Sequence, residues 1–498
     1  MDTGRLIAYG FVFVCRTGRR LGTLLATWWI VMGSIALATD IPDDIRGLID
    51  GGEFARAETA LTEAAETCSG DQRRTLLFEA ERLSRIREDF SLTEKAVLEK
   101  ISEEIPNVTT DDLRRWRKEG VLQGRRVDGS VRYFWAAVRN LFRLSGEARK
   151  RRIPSQMAIP AQPDRMKAHM KEVIEAAENA DSPFVLPQRF RIEYTLSVKP
   201  GVVPPGETVR CRLLYPIEGP TQKDIRLVDS SPGHPQIASR SVLQRTIYLE
   251  QPAAPAGKET VFSVTYEYTA RAFYREIDSG KVRPYDTSSE LYREFTAERP
   301  PHLDFTPVLR AIAAEAAGDE TNPYLKAKRI YSWICRNITY VTMVEYSTVP
   351  NISMYCAVNR RGDCGVQGML FVALCRISGV PARWQSGWSV KPWKDSMHDW
   401  SRFYVEPYGW LWADPSRGQE YYDQDIDPRV RDFCFGNLDG YRLISNDDYS
   451  AVLEPPKQHF RSEPVDFQRG EVEWRGGNLY FDQWGWAMDV TVVNLPEE

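Results

Sequence analysis

Apolar positions along residues 40–150 recur at intervals of three and four. FARAETALTEAAE (54–66) and RRTLLFEAERLSRI (73–86) both carry the one-sided stripe of an amphipathic helix. The segment RRIPSQMAIPAQP (151–163) breaks this rhythm with three prolines in thirteen residues and reads as a linker. Met166, Met170, Val173, Ile174 and Ala177 then restore the helical stripe, so 151–187 is expected to be a linker carrying one helix. After residue 188 the period falls to two. Phe190, Ile192, Tyr194, Leu196 and Val198 alternate with polar residues. Val209, Cys211, Leu213 and Tyr215 do the same, as do Phe262, Val264, Tyr266 and Tyr268. With the turns VPPGE and SPGHP between them, residues 188–275 predict a small antiparallel β-sandwich.

From about residue 300 the pattern is mixed. Thr306-Pro307 and Asn322-Pro323 each place a capping residue before a proline that can occupy the first helical turn, and Gly318 closes the first of these helices. The second, through YLKAKRIYSWICRN, runs into a short strand, ITYVTMV. The final segment, EVEWRGGNLYFDQWGWAMDVTVVN, has the look of two or three further strands. The fold class expected is therefore multidomain α+β. It comprises a helical N-terminal region (40–150), a β-sandwich (188–275), an α+β core (300–440) and a β-rich C-terminal tail (441–498).

The first 38 residues stand apart. Arg16, Arg19 and Arg20 precede TLLATWWIVMGSIALA, an uncharged run of 16 residues ending in Ala36-Leu37-Ala38. Basic flank, apolar run and small-x-small ending are those of a secretory signal peptide cleaved after Ala38. The run is shorter than the ~20 residues a spanning helix needs, which disfavours an uncleaved anchor. An apolar stretch, LIAYGFVFVC, precedes it and is consistent with a later translation start. The expected location is thus periplasmic or extracellular. Of eight cysteines Cys15 would leave with the signal, and the remaining seven guarantee at least one unpaired thiol in an oxidising compartment. No Cys-x-x-Cys is present, so neither a zinc ribbon nor a thioredoxin-type site is expected.

Composition narrows the classes only slightly. A net charge of −4 on 498 residues favours neither nucleic acid nor membrane. The local exception is Leu113–Arg152, with thirteen Lys/Arg against three acids, where TTDDLRRWRKEGVL resembles a helix-turn-helix. In an exported chain a solvated face or an anionic envelope partner is the better reading, and no nucleic-acid partner is expected. DQDID (423–427) alternates acids as a calcium loop does, but Pro428 and Cys434 stand where that loop needs Gly and Glu. No metal or cofactor is expected.

The chemistry centres on NRRGDCGVQGMLFVAL (359–374). Met369, Leu370, Ala373, Leu374 and Ile377 form a helical stripe that puts Cys364 at a helix N-terminus. There the unpaired N–H groups and the dipole favour a thiolate. Gly362 and Gly365 are expected to allow a tight turn and a close substrate approach, and the backbone N–H of Cys364 is a natural oxyanion donor. Five histidines are available as the base. His398 heads HDWSRFYVEPYGWLWADPS, read as strand, turn and strand, and Asp414 ends the second strand where His398 begins the first. A carboxylate there orients an imidazole. Asp399 is the competing acid, but neighbours on a strand face opposite ways, so it should point away from whatever His398 faces. Six of fourteen tryptophans lie within 384–412, and as strand residues each is expected to be core first.

GDCGVQGMLFVALCRISGVPAR followed by HDWSRFYVEPYGWLWADPS resembles the transglutaminase-like superfamily of papain-like thiol enzymes, over roughly residues 320–420. The resemblance implies a papain-like α+β core and a triad of Cys364, His398 and Asp414. It also implies a thioester resolved by water or an amine, and some of the tryptophans lining a channel. It further implies an aromatic oxyanion donor upstream of the nucleophile, for which Tyr340 and Tyr355 are the candidates. The Cys-x-x-Cys pairs of the peptide-N-glycanase branch are absent. The expected function is an exported peptidase or amidase acting on protein or peptidoglycan-linked peptides, with hydrolysis favoured over cross-linking. The alternative is a non-catalytic envelope scaffold with a relic core.

Overall fold

The computed structural model describes residues 41–153 and 164–493. The signal-peptide reading and most of the proline-rich linker therefore lie outside the described residues. Among those described, no helix is long and apolar enough to cross a membrane.

The N-terminal region is helical with one insertion. Helices α1 (Asp43–Gly51), α2 (Phe54–Glu66) and α3 (Gly70–Asp89) bury Ile45, Phe54, Leu61, Leu83 and Ile86 in a core of their own. Helices α4 (Glu94–Ser102) and α5 (Thr110–Lys118) are followed by a hairpin of β1 (Gly124–Val127) and β2 (Ser130–Tyr133). Two helices then close this part, α6 (Ala137–Leu144) and α7 (Gly146–Arg151), around Val97, Ile101, Leu113, Trp116 and Leu141. Helical periodicity missed the hairpin, although its turn is plain in the sequence. Asp128 and Gly129 have φ of +46° and +82°, the pair of positive values a two-residue hairpin turn requires. Part of the local positive charge is consumed internally, since Arg151 pairs with Asp112 and Glu147, and Arg115 with Asp112.

Helix α8 (Arg165–Glu178) buries Met166, Met170, Val173 and Ile174 as its stripe requires. The strands that follow are β3 (Phe184–Val198), β4 (Thr208–Leu214), β5 (Gln222–Ser231), β6 (Gln236–Ile237), β7 (Thr246–Pro252) and β8 (Thr260–Phe273). All the alternating apolar residues named above in β3, β4 and β8 are buried. These strands alone do not complete the sandwich. β15 (Glu471–Trp474) pairs with β4, β16 (Gly477–Leu479) pairs with β15, and β17 (Trp484–Val493) runs along Arg189–Val198 of β3. The two antiparallel sheets are thus ordered β17-β3-β8-β5 and β16-β15-β4-β7-β6. Without β17, β3 would be an open fifteen-residue edge. The closing segment is therefore not a layer of its own: the chain leaves the sandwich, builds the α+β core and returns to seal it.

That core is mixed α/β. Helices α9 (Glu290–Thr296), α10 (Pro307–Ala317) and α11 (Pro323–Asn337) come first, the last two capped by Thr306 and Asn322. The short strand β9 (Thr339–Tyr340), helix α12 (Ile352–Asn359) and short strand β10 (Arg361–Gly362) lead into α13 (Cys364–Ile377), buried along nearly its whole length. Strands β11 (Ala382–Lys391), β12 (Lys394–Val405), β13 (Gly409–Ala413) and, from farther on, β14 (Arg442–Asn446) form a sheet ordered β13-β12-β11-β14. Between β13 and β14 lie two short helices, α14 (Pro415–Gly418) and α15 (Pro428–Arg431). Ser401 and Phe403 face α13, through Ser401 Oγ to Gly368 O (3.0 Å) and the Phe371–Phe403 ring pair. Sandwich and core share one continuous apolar cluster running from Met166 to Met488.

Candidate active site

Asp363 caps α13, its carboxylate accepting the Val366 N–H at 3.2 Å, and Cys364 is the first helical residue. The two flanking glycines serve packing, contrary to the expected tight turn. Neither has a positive φ. A Cβ at 362 would run into the Val366 side chain, and one at 365 into the Tyr346 hydroxyl and the Asp399 carboxyl.

The helix N-terminus does not make Cys364 acidic, which corrects the expectation from its position. Its residue is 8% exposed. Burial pushes the thiol well above its ordinary range, and the nearby Asp399 and Asp363 carboxyls push it further. The helix end is already occupied by the Asp363 cap, so the dipole meets a carboxylate before it meets the sulfur. Burial likewise raises Asp363 itself to about 6, against the pull of Tyr346 and the Val366 N–H.

His398 and Asp414 come together as the hairpin predicts. His398 Nε2 lies 2.6 Å from Asp414 Oδ2. The same oxygen accepts from Arg442 at 3.0 Å, while Oδ1 accepts from Ser416 Oγ (2.9 Å) and the Arg417 N–H (3.0 Å). Burial opposes charge on Asp414, but His398, Arg442 and Arg417 outweigh it and hold the carboxyl well below its usual range. Nε2 therefore carries the proton that faces Asp414. Burial, only partly offset by Asp414, lowers the basicity of His398 and keeps the ring neutral near neutral pH. Among the described residues Nδ1 has no hydrogen-bond partner, so its lone pair is available.

Cys364 and His398, by contrast, are not joined by a hydrogen bond. The sulfur's partner is Asp399, with Sγ 3.2 Å from Oδ2. Strand alternation does turn Asp399 away from the face of His398, and that direction leads to Cys364. Gln468 fixes the arrangement by donating to Asp399 Oδ1 (2.8 Å), His398 O (3.1 Å) and Gly387 O (3.0 Å). Gln468 is thus a site residue that sequence reasoning missed, and Asp399 one that it weighed only as a partner for His398. For Asp399 the signal was present in the period of the strand; for Gln468, 69 positions away from Asp399, there was none.

Of the two oxyanion candidates, Tyr340 is the one beside Cys364. β9 pairs in parallel with β10, setting Tyr340 opposite Gly362. Its phenol is held protonated far above its usual range, first by Cys364, then by burial and Asp363. Tyr355 lies on α12, half-buried against the apolar core. Tyr340 is supported from the N-terminal helices. Arg143 donates to its carbonyl (3.3 Å) and covers its ring, and Asn140 exchanges two bonds with the Thr342 backbone (2.8 and 2.9 Å). Trp384, Trp388, Trp400 and Trp412 are buried core, and Trp400 and Trp412 both donate to Gln385 Oε1. In DQDID, Asp427 caps α15 and binds Arg429.

Comparison with known proteins matches residues 310–415 to the family model of the transglutaminase-like superfamily. The "uncharacterized protein YebA" of Bacillus subtilis is 25% identical over 130 residues, which cover 22% of this chain and 17% of that protein. Among solved structures, a "putative cysteine protease" from Cytophaga hutchinsonii is 16% identical with a TM-score of 0.41, over 63% of this chain and 94% of that one. The periplasmic domain of TgpA from Pseudomonas aeruginosa is 15% identical with a TM-score of 0.25, over 52% and 94%.

Proposed function

We propose, from the premise that residues 310–415 are a transglutaminase-like core, that the chain is an exported thiol enzyme acting on amide or peptide bonds. Cys364, His398 and Asp414 are its catalytic residues, and hydrolysis is favoured over cross-linking. The observation that carries this reading is the His398–Asp414 pair at 2.6 Å, with His398 on the strand whose next residue meets the Cys364 sulfur. Asp414 accepts from Nε2–H, which leaves Nδ1 as the base. Asp399, not His398, faces the sulfur from β12. The reaction therefore requires a rearrangement that brings sulfur and ring together before Nδ1 takes the Cys364 proton and the thiolate attacks the substrate carbonyl. The negative oxygen is received by the Cys364 N–H, which has no acceptor in the helix, and by the Tyr340 hydroxyl. As the C–N bond breaks, His398 returns its proton to the leaving amine and a thioester remains. Water, deprotonated by His398, then frees the acid. Protein or envelope peptides are the substrate class.

The alternative, a binding or scaffold protein with a relic core, is favoured by one observation: the sulfur bonds to Asp399 and not to His398. A glutamine-containing protein mixture with and without a primary amine separates the readings. Fragments or deamidation lost in Cys364→Ala mark a thiol hydrolase. Amine incorporation lost in the same variant marks a transferase. If wild type also fails to react with a thiol-directed amide probe, the scaffold reading stands.

A further inference from the structure

The sulfur of Cys364 has a partner that the proposed reaction leaves unused. Asp399 Oδ2 lies 3.2 Å from Sγ, and Oδ1 is tied down by Gln468 at 2.8 Å. The Tyr346 hydroxyl stands 3.5 Å from Oδ2 but donates chiefly to Asp363, at 2.6 Å. Asp399 is only 3% exposed. Packing alone gives no reason for a carboxyl here. The residues that share its strand face, Ser401 and Phe403, are neutral, and burying a carboxyl without a cation costs several kcal/mol. Costly buried titratable groups of this kind concentrate at functional sites.

We propose that Asp399 is a latch on the nucleophile: it accepts the Cys364 S–H, holds the sulfur as a thiol and so sets the pH at which the attacking thiolate becomes available. The functional sense of this rests on Cys364 being the nucleophile of the proposed reaction. Two negative charges 3.2 Å apart are strongly disfavoured in a buried site. Whichever of the two groups ionises first therefore opposes the other. The surroundings strengthen this. From the start of α13 the thiol and carboxyl face Asp363, from β9 Tyr340, and from the turn at 345–348 Tyr346. From the segment 463–469 the Asp399 carboxyl faces Glu463 and Asp466, and from just beyond β13 Asp414. Arg469 is spent on Glu345 and Glu463, so it does not neutralise Asp399. Burial and these carboxyls hold Asp399 well above the usual carboxylate range.

Asp399→Asn keeps the shape and an oxygen for Gln468, but removes the ionisable group. The full chain would be treated with iodoacetamide from about pH 5 to about pH 10. In that reaction the thiolate sulfur bonds to carbon as iodide leaves, and the thiol proton goes to buffer. Peptide mass spectrometry reads Cys364 separately, with the other cysteines as internal controls. The latch predicts a labelling midpoint lower by about one pH unit or more, equal to about tenfold faster labelling below both midpoints. A midpoint unchanged or raised overturns it. Asp399→Ala, followed by thiolate absorbance as well as labelling, guards against a local distortion in the first variant and must move the same way. Amide turnover in the same proteins separates the two claims. If Cys364 is not the nucleophile, turnover survives Cys364→Ala while the labelling shift persists; if the latch is wrong, the shift is absent while turnover still depends on Cys364.

Discussion

Replacing Asp414 by Asn tests the proposed catalytic pair with almost no change of shape. The carboxylate accepts four bonds, two on Oδ2 from His398 and Arg442 and two on Oδ1 from Ser416 and the Arg417 N–H. An amide has only one oxygen. With its oxygen toward His398, the new NH2 faces the Arg417 N–H, donor against donor. With its NH2 toward His398, it opposes Arg442 and forces the ring to carry its proton on Nδ1, which removes the base. Arg442 retains Asp439 at 2.6 Å, so no cation is stranded. The structural cost is then one or two charge-assisted bonds, about 2–4 kcal/mol. The catalytic cost is that of losing a positioned base, about 10²–10⁴ in rate. Fluorescence-monitored urea unfolding gives the first figure. The initial rate of thioester formation with a reactive amide substrate gives the second. A variant that remains folded and reacts within about threefold of wild type, well inside that range, would refute the catalytic reading and leave His398–Asp414 as a structural pair.

Two further perturbations probe how the fold supports the site. Asn140→Ala removes both bonds to the Thr342 backbone and leaves buried groups unpaired at about 1–3 kcal/mol each. Hydrogen exchange across residues 339–346 should rise about tenfold or more, and unchanged protection would show that the N-terminal helices do not brace Tyr340. Glu267 is held down to about 2, first by Arg226 and Arg191 and then by Arg189, against the cost of burial. A depressed carboxyl stabilises the fold fully above its unfolded pKa of about 4.3, and that contribution fades as pH falls through its folded value. Glu267→Gln should therefore be less stable than wild type at neutral pH, with the gap closing between about pH 5 and about pH 2 in urea melts. A gap that stays constant contradicts the ion-pair assignment.

Local patterns carried much of this fold because each reports a preference that tertiary packing then satisfies. Alternation in β3, β4 and β8 marked the buried faces, and Thr306-Pro307 and Asn322-Pro323 marked two helix starts. The period of the hairpin at 398–414 brought His398 to Asp414. The Asp128-Gly129 turn was legible too, but helical periodicity around it masked the hairpin.

Other features depend on residues that meet only after the chain has returned on itself. Whether β3 is an edge or an inner strand is settled by β17, almost 300 positions later, and the inner sheet of the core takes its fourth strand from beyond β13. The acidity of Cys364 follows the same logic. From sequence, a cysteine at a helix N-terminus should be a thiolate, because the dipole is a property of the helix alone. In the folded chain burial and two carboxyls decide the matter, one from the cap and one from a strand 35 positions away. The sequence by itself determined which residue types are present and the period on which each element faces inward. Tertiary structure alone decided the charge state of Cys364, because that depends on the distance and dielectric between groups that no sequence spacing encodes.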